Sequence, residues 1–140
     1  MALVLDGTNG VSGVDGTASN PAIEGTDSNT GVFFPAADTV AIGTSGTERL
    51  RVDSAGNAGL GVTPSAWSLI TANQIKNASF AGYLNRAYVF ANSYFDGSSN
   101  RYIASDFATY YSQQSGQHQW YNAASGTAGN AISFTQAMTL

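Results

Sequence analysis

The chain has 140 residues and a net charge of −4; 10% of its residues are charged, 43% are hydrophobic, and it holds 16 glycines and no cysteine. That balance excludes a disordered acidic tail, which carries more charge and fewer aromatics. The scattered cations Arg49, Arg51, Lys76, Arg86 and Arg101 exclude a nucleic-acid partner, and the lack of cysteine excludes a disulfide framework or a thiolate zinc site.

No run approaches the ~18 apolar residues of a membrane span. Met1-Ala2-Leu3-Val4-Leu5 is too short, and lacks the basic flank, for a signal peptide. The reading is of a chain made in the cytoplasm, with no membrane insertion.

Gly-Thr pairs begin at Gly7, Gly16, Gly25 and Gly43, on a nine-residue spacing. Two residues before each register point stands a small or apolar residue: Leu5, Val14, Ile23, Val32, Ala41 and then Leu50. Repeated short strands or corners would produce this, and such units bury their apolar residue only by stacking or trimerising. Chance in a Gly/Thr-rich stretch is the competing explanation. Residues 10–15 echo one unit of the calcium-binding nonapeptide, but its second glycine is missing, so acids capping turns are the better account and no metal is expected.

Residues 47–62 read as two alternating strands around a Gly-Asn turn. Leu50 and Val52 point one way, and Arg49, Arg51 and Asp53 the other. Ser54-Ala55-Gly56-Asn57 reverses the chain, because Gly and Asn tolerate positive φ. In the return strand Gly59 and Gly61 alternate with Leu60 and Val62, so something must approach that backbone closely. A lone hairpin is marginal in water, which points to identical neighbours in an intertwined oligomer.

Character changes near Pro64. The first 66 residues hold only two aromatics, Phe33 and Phe34; the rest of the aromatics follow. A boundary is therefore set between 1–65 and 66–140. Residues 66–76 read as loop or a short helix carrying Trp67, Ile70 and Gln74 on one face. Strands are expected at 87–95, 101–104, 108–113, 117–121 and 131–138, with turns at 96–100 and Ser115-Gly116 and a small-residue loop at 122–130. Turn signals every 8–15 residues with aromatic-rich runs between them suggest a small antiparallel sandwich or jelly-roll-like module.

Catalytic chemistry is sparse. The single histidine, His118, lies in a strand beside Trp120, a structural position more than a base. Asp96 and Asp106 are the only acids in the second region, and both sit in turns, a poor pair for glycoside hydrolysis. Aromatic rings among amides better suit glycan contact, since rings stack on sugar C–H faces while amides bond hydroxyls. The candidate contact residues are Tyr94, Asn100, Tyr102, Tyr111, Gln114, Gln117 and Trp120. The competing reading is that they build the core and a subunit interface. Tyr110 and Tyr111 must split between faces, as must Trp120 and Tyr121.

T-E-R-L-R-V-D-S-A-G-N (47–57), G-T-N-G-V-S-G-V-D-G-T-A (7–18), D-S-N-T-G-V-F-F-P-A-A-D-T-V-A-I (27–42) and S-G-T-A-G-N-A-I-S-F-T-Q-A-M-T-L (125–140) resemble segments of bacteriophage tail fibre proteins. The resemblance is weakest from Ser65 to about Tyr88. It implies an all-β homotrimer with a glycine-rich, fibrous and intertwined segment at 1–65 and the compact module at 66–140. It further implies a virion location, with another tail or baseplate protein holding the amino terminus, and attachment to the host cell surface. The sparse catalytic chemistry and the aromatic and amide residues above add the expectations of a surface glycan as the receptor, no cofactor and no enzymatic activity. A head-decorating fibre, a connector that meets no receptor, and a glycan-cleaving tailspike are the alternatives. In similar fibres the last strand runs on into an Asp-x-x-Gly-Asn hairpin; here Ala137-Met138-Thr139-Leu140 closes the sequence, which implies a short fibre or a cut one.

Overall fold

The structure, a computed structural model, describes residues 4–7 and 10–140; Thr8 of the first Gly-Thr pair, and the side chains of Leu5 and of residues 10–12, lie outside that description. The described residues are all β, with no helix. Short strands open the chain: β1 (Val4–Asp6), β2 (Gly10–Ser12), β3 (Gly16–Thr17), β4 (Asn20–Pro21), β5 (Ile23–Glu24) and β6 (Gly31–Phe33). The hairpin region supplies β7 (Val40–Thr44), β8 (Thr47–Val52) and β9 (Ala58–Leu60). Beyond Pro64 come β10 (Thr71–Ile75), β11 (Ala78–Tyr83), β12 (Arg86–Ala91), β13 (Ser93–Phe95), β14 (Asn100–Tyr102), β15 (Asp106–Gln114), β16 (Gln117–Gly126) and β17 (Thr135–Thr139).

Eleven of these strands form one sheet in the order β17-β16-β15-β12-β11-β10-β9-β8-β7-β6-β5, and β1-β2, β3-β4 and β13-β14 are separate two-stranded ribbons. Neighbours in the large sheet are antiparallel except β9 and β10, which run parallel through the pairs Ala58↔Asn73 and Leu60↔Ile75. A parallel pair needs a crossover, and residues 61–70 supply it. In crossing they fold back over one face of the sheet.

That face is the covered one. Trp67 lies on Ala72, Ala81 and Phe90, and Ile70, Tyr88, Tyr94, Phe95 and Tyr110 pack around them. Tyr94 and Phe95 belong to the β13-β14 ribbon, so the second layer is that ribbon plus the crossover. The expected sandwich is therefore not two stacked sheets. Strands from both sides of residue 65 join one sheet, with a partial cover over part of it.

The segment 66–76, expected as loop or short helix, is loop through Ile70 and then strand β10. Ala72 and Gln74 point inward at 1% exposure each, while Thr71, Asn73 and Ile75 face out. This is a period of two, and pairing on both edges overrides the weak helical spacing. The loop expected at 122–130 is strand as far as Gly126, because β16 continues to pair with β15 past a bulge. The run 87–95 breaks at Asn92, whose φ is +57°. Its side chain bonds the carbonyls of Ala104 and Phe107 and the amide of Ala104, which turns the chain out of the sheet into the ribbon.

The 47–62 hairpin forms with Leu50 opposite Leu60 and Val52 opposite Ala58. One residue departs from simple alternation. A bulge between Ile42 and Gly43 pairings makes Arg49 an extra residue in β8. Glu48 then shares a face with Arg51, and the two form a bidentate pair at 2.8 and 2.6 Å. At Gly59 the expected close approach is real, but it comes from the same chain: an added Cβ would lie 2.1 Å from the Val62 carbonyl oxygen and 2.8 Å from Pro64 Cδ. Gly61 has open space around it. The nine-residue spacing does not map to one geometry. Ile23 pairs with Val32 across strands, whereas Ala41 is buried on the covered face and Leu50 pairs with Ile42 on the other.

Candidate functional site

Two surfaces carry functional potential, one on each side of the sheet. The first is a cleft of about 350 Å³ where the cover ends. Alternation along β12 sends Arg86, Tyr88 and Phe90 to the covered side, and alternation along β15 sends Tyr110 and Gln114 there. Leu69 and Ile70 of the crossover form one wall, and Phe95 and Asn100 of the ribbon form another. Tyr88 and Phe90 lie nearly parallel with ring centroids 5.4 Å apart, and Tyr110 tilts against Phe90 at the same distance. Gln114 Nε2 donates to Gln119 Oε1 at 2.7 Å, and the Tyr121 hydroxyl donates to that oxygen at 2.9 Å. Tyr121 stacks on Tyr110 at 4.3 Å, with Phe134 edge-on to Tyr110. Burial, and then the Tyr121 phenol beside it, pushes the Tyr110 phenol well above the ordinary tyrosine value. It is a neutral hydrogen-bonding group throughout the physiological range.

The second surface is the opposite face of the sheet. Following the register across strands gives an unbroken apolar row: Ile23, Val32, Ile42, Leu50, Leu60 and Ile75. One step along the strands a second row runs through Phe80, Val89, Tyr111, Trp120 and Met138. Phe80 is 59% exposed, Ile75 57% and Leu60 49%. Neither row holds a formal charge. Tyr111 tilts against Trp120 at 5.1 Å and stacks on His118, whose Nδ1 is hydrogen-bonded to the Tyr111 hydroxyl. Isolated exposed apolar residues are ordinary on a protein surface; a continuous face of them marks an interaction site.

The seven residues singled out from sequence divide among three places. Tyr111 and Trp120 lie together on the apolar face. Asn100 and Gln114 line the cleft, with Gln117 near Gln114 at the β15-β16 turn. Tyr94 packs edge-on against Trp67 at 6.2 Å, partly buried in the core. Tyr102 is 7% exposed, its hydroxyl donates to the Ala124 carbonyl at 2.6 Å, and its ring fills the space over Gly126. That ring is structural and offers no surface to a ligand. Tyr83, Arg86, Tyr88 and Phe90 were not among the seven, although the pattern Arg-x-Tyr-x-Phe at strand period was the signal for a shared face.

The acids of the second region are occupied locally. Asp96 accepts from the backbone amides of Ser98 and Ser99 at 2.9 and 2.8 Å and pairs with Arg101. The Ser99 amide, then the Arg101 guanidinium, lowers its pKa to about 2. A glycosidase acid needs the reverse, a carboxyl held protonated near neutrality. Asp106 accepts from the next amide, Phe107 N–H, at 2.8 Å. Among the described residues no group of three His, Asp or Glu side chains converges to hold a metal. No family model matches this chain, and neither a curated protein nor a solved structure matches it.

Proposed function

We propose that this chain is a structural subunit of a bacteriophage tail fibre that attaches to the host cell surface as a homotrimer. The observation that carries the reading is the uncovered apolar face. A protomer that leaves Ile42, Leu60, Ile75, Phe80 and Val89 exposed in aligned rows gains by covering them, at ~25 cal/mol per Å² of apolar surface removed from water. Copies of the same chain supply a matching face at equal concentration, and closed symmetry leaves no face unpaired. The same assembly covers the edge strand β17, whose five residues are all exposed. The sequence resemblance of residues 7–18, 27–42, 47–57 and 125–140 to tail fibre segments points the same way. In this reading residues 1–65 hold the chain to another tail or baseplate protein, and residues 66–140 form the distal module.

Adhesion follows from the cleft. Three weak glycan sites on one rigid trimer gain avidity because the second and third contacts are intramolecular. Antibody labelling of intact virions, viewed by electron microscopy, tests the assignment. Label along the tail, with the antigen for the 66–140 module outermost, is the expected result. Label on the head, or none on the particle, sinks it.

A further inference from the structure

We propose that the cleft takes an acidic sugar, a pyranose unit bearing a carboxylate, and that Arg86 receives the carboxylate. The proposal rests on the adhesion reading only for the source of that sugar, a host-surface glycan. Arg86 is the single charged residue lining the cleft. Among the described residues Arg51 is paired with Glu48 and Arg101 with Asp96, whereas Arg86 forms no ion pair. It is exposed at the start of β12, two residues from Tyr88 on the same face. A guanidinium is a planar fork that meets a carboxylate with two parallel hydrogen bonds.

The rest of the cleft fits the sugar ring. Tyr88, half-buried and backed at 5.4 Å by the buried ring of Phe90, makes an apolar floor for the C–H face of a pyranose. The Asn100 and Gln114 amides stand at the margin of that floor, where they can bond ring hydroxyls. The volume, about 350 Å³, falls at the low end of the roughly 300–1,000 Å³ of small-ligand clefts, which fits a mono- or disaccharide portion of a glycan. A purely apolar ligand would strip water from the guanidinium and two amides without replacing their hydrogen bonds. A phosphate ester would find one cation where phosphate sites gather several donors. A neutral sugar would use the floor and the amides but leave Arg86 unused, so it is the rival that the test must separate.

The test is an NMR titration of the purified full chain, in its native assembly, with methyl β-D-glucopyranosiduronate and with methyl β-D-glucopyranoside. These share a ring and differ at the carboxylate. The uronate is expected to bind tighter by about tenfold or more, the scale of one charge-assisted hydrogen-bond contact, and to lose that advantage as salt is raised. Arg86→Gln, an exposed position whose circular dichroism and melting should match the parent, is expected to erase the preference. Tyr88→Ala should weaken both ligands. Equal affinities, a preference that survives in Arg86→Gln, or no binding of either glycoside overturns the proposal. Adhesion of the purified chain to host cells is read separately. Lost adhesion with the uronate preference intact removes the adhesion reading and leaves the cleft assignment standing; adhesion without the preference does the reverse.

Discussion

Three buried amides, Gln74, Asn57 and the Asn92 that turns the chain into the ribbon, hold this fold where apolar packing is thin. Gln74 Oε1 accepts from the Ser65 amide at 2.8 Å and from Trp67 Nε1 at 3.0 Å, while its Nε2 donates to the Lys76 carbonyl at 2.7 Å. It thereby fixes the crossover that covers the core. Asn57 Oδ1 accepts from the Ala72 amide at 3.0 Å, and its Nδ2 donates to Asp53, tying the hairpin turn to β10. Gln74→Leu leaves two donors and one acceptor without their partner. It should cost about 2–4 kcal/mol in a urea titration and shift Trp67 fluorescence to the red as its indole gains water. A loss under ~0.5 kcal/mol, within the range of a surface change, would show that Gln74 does not hold the crossover.

The same scale sets two pH limits. Tyr110 has a folded pKa raised above its ordinary 10.0. Above that value an unfolded chain releases a proton that the folded chain keeps, so stability falls as pH rises past 10 towards the folded pKa. Urea midpoints across alkaline pH should drop in the parent and fall less steeply in Tyr110→Phe. Asp96 has the opposite sign. Its folded pKa of about 2 lies below the ordinary 3.8, so its contribution is intact above 3.8 and is lost as pH falls through about 2. Thermal melts in that acid window should lose less in Asp96→Asn than in the parent.

At the scale of elements, local turn chemistry and period two were readable, while bulges and long-range cover were not. Asp53 to Asn57 declared its turn, and Asp53 Oδ1 does bond the amides of Ala55 and Asn57. The β15-β16 hairpin likewise followed from Ser115-Gly116, both at positive φ. Nothing in the string T-E-R-L-R marked Arg49 as the extra residue, because a bulge is set by the register of the neighbouring strand. Strand β10 was obscured since Trp67, Ile70 and Gln74 also fit a helical spacing, and pairing with β9 on one edge and β11 on the other decides between the two. Strand β16 outran its expected end because Gly126 looks like loop; it is needed there because a Cβ would come within 2.2 Å of the Tyr102 ring. Gly126→Ala should therefore destabilise by about 1–3 kcal/mol, the cost of overpacking, measured by denaturant midpoint. The Tyr102 hydroxyl, anchored to Ala124, leaves the ring little freedom to move away.

At the scale of the molecule, the sheet has an inverted economy of side chains. The face that the protomer covers carries small residues: the crossover and ribbon settle closely on Gly59, Ala72 and Ala81, and Ala18 lies over Gly43, beside the buried Ala41. Tyr88, Phe90 and Tyr110 share that face near the cleft, while Ile42, Leu50, Leu60, Ile75, Phe80 and Val89 are left on the other side. Alternation alone told the two faces apart but not which of them the chain would cover, so Leu50 and Val52 could not be assigned to an interior or an interface. Phe80 and Val89 sit opposite each other at the middle of the uncovered face. The double variant Phe80→Asp/Val89→Asp places charges where a partner copy would bury them, and each buried large apolar side chain is worth about 1.5–3 kcal/mol. Light scattering at micromolar concentration should give three times the 14.5 kDa chain mass for the parent and one chain mass for the variant. Because both positions are exposed within the protomer, its far-ultraviolet circular dichroism should survive the change, which separates lost assembly from lost folding. A parent that itself scatters as a single chain would mean that this face meets something other than its own copies, and the homotrimer would fall.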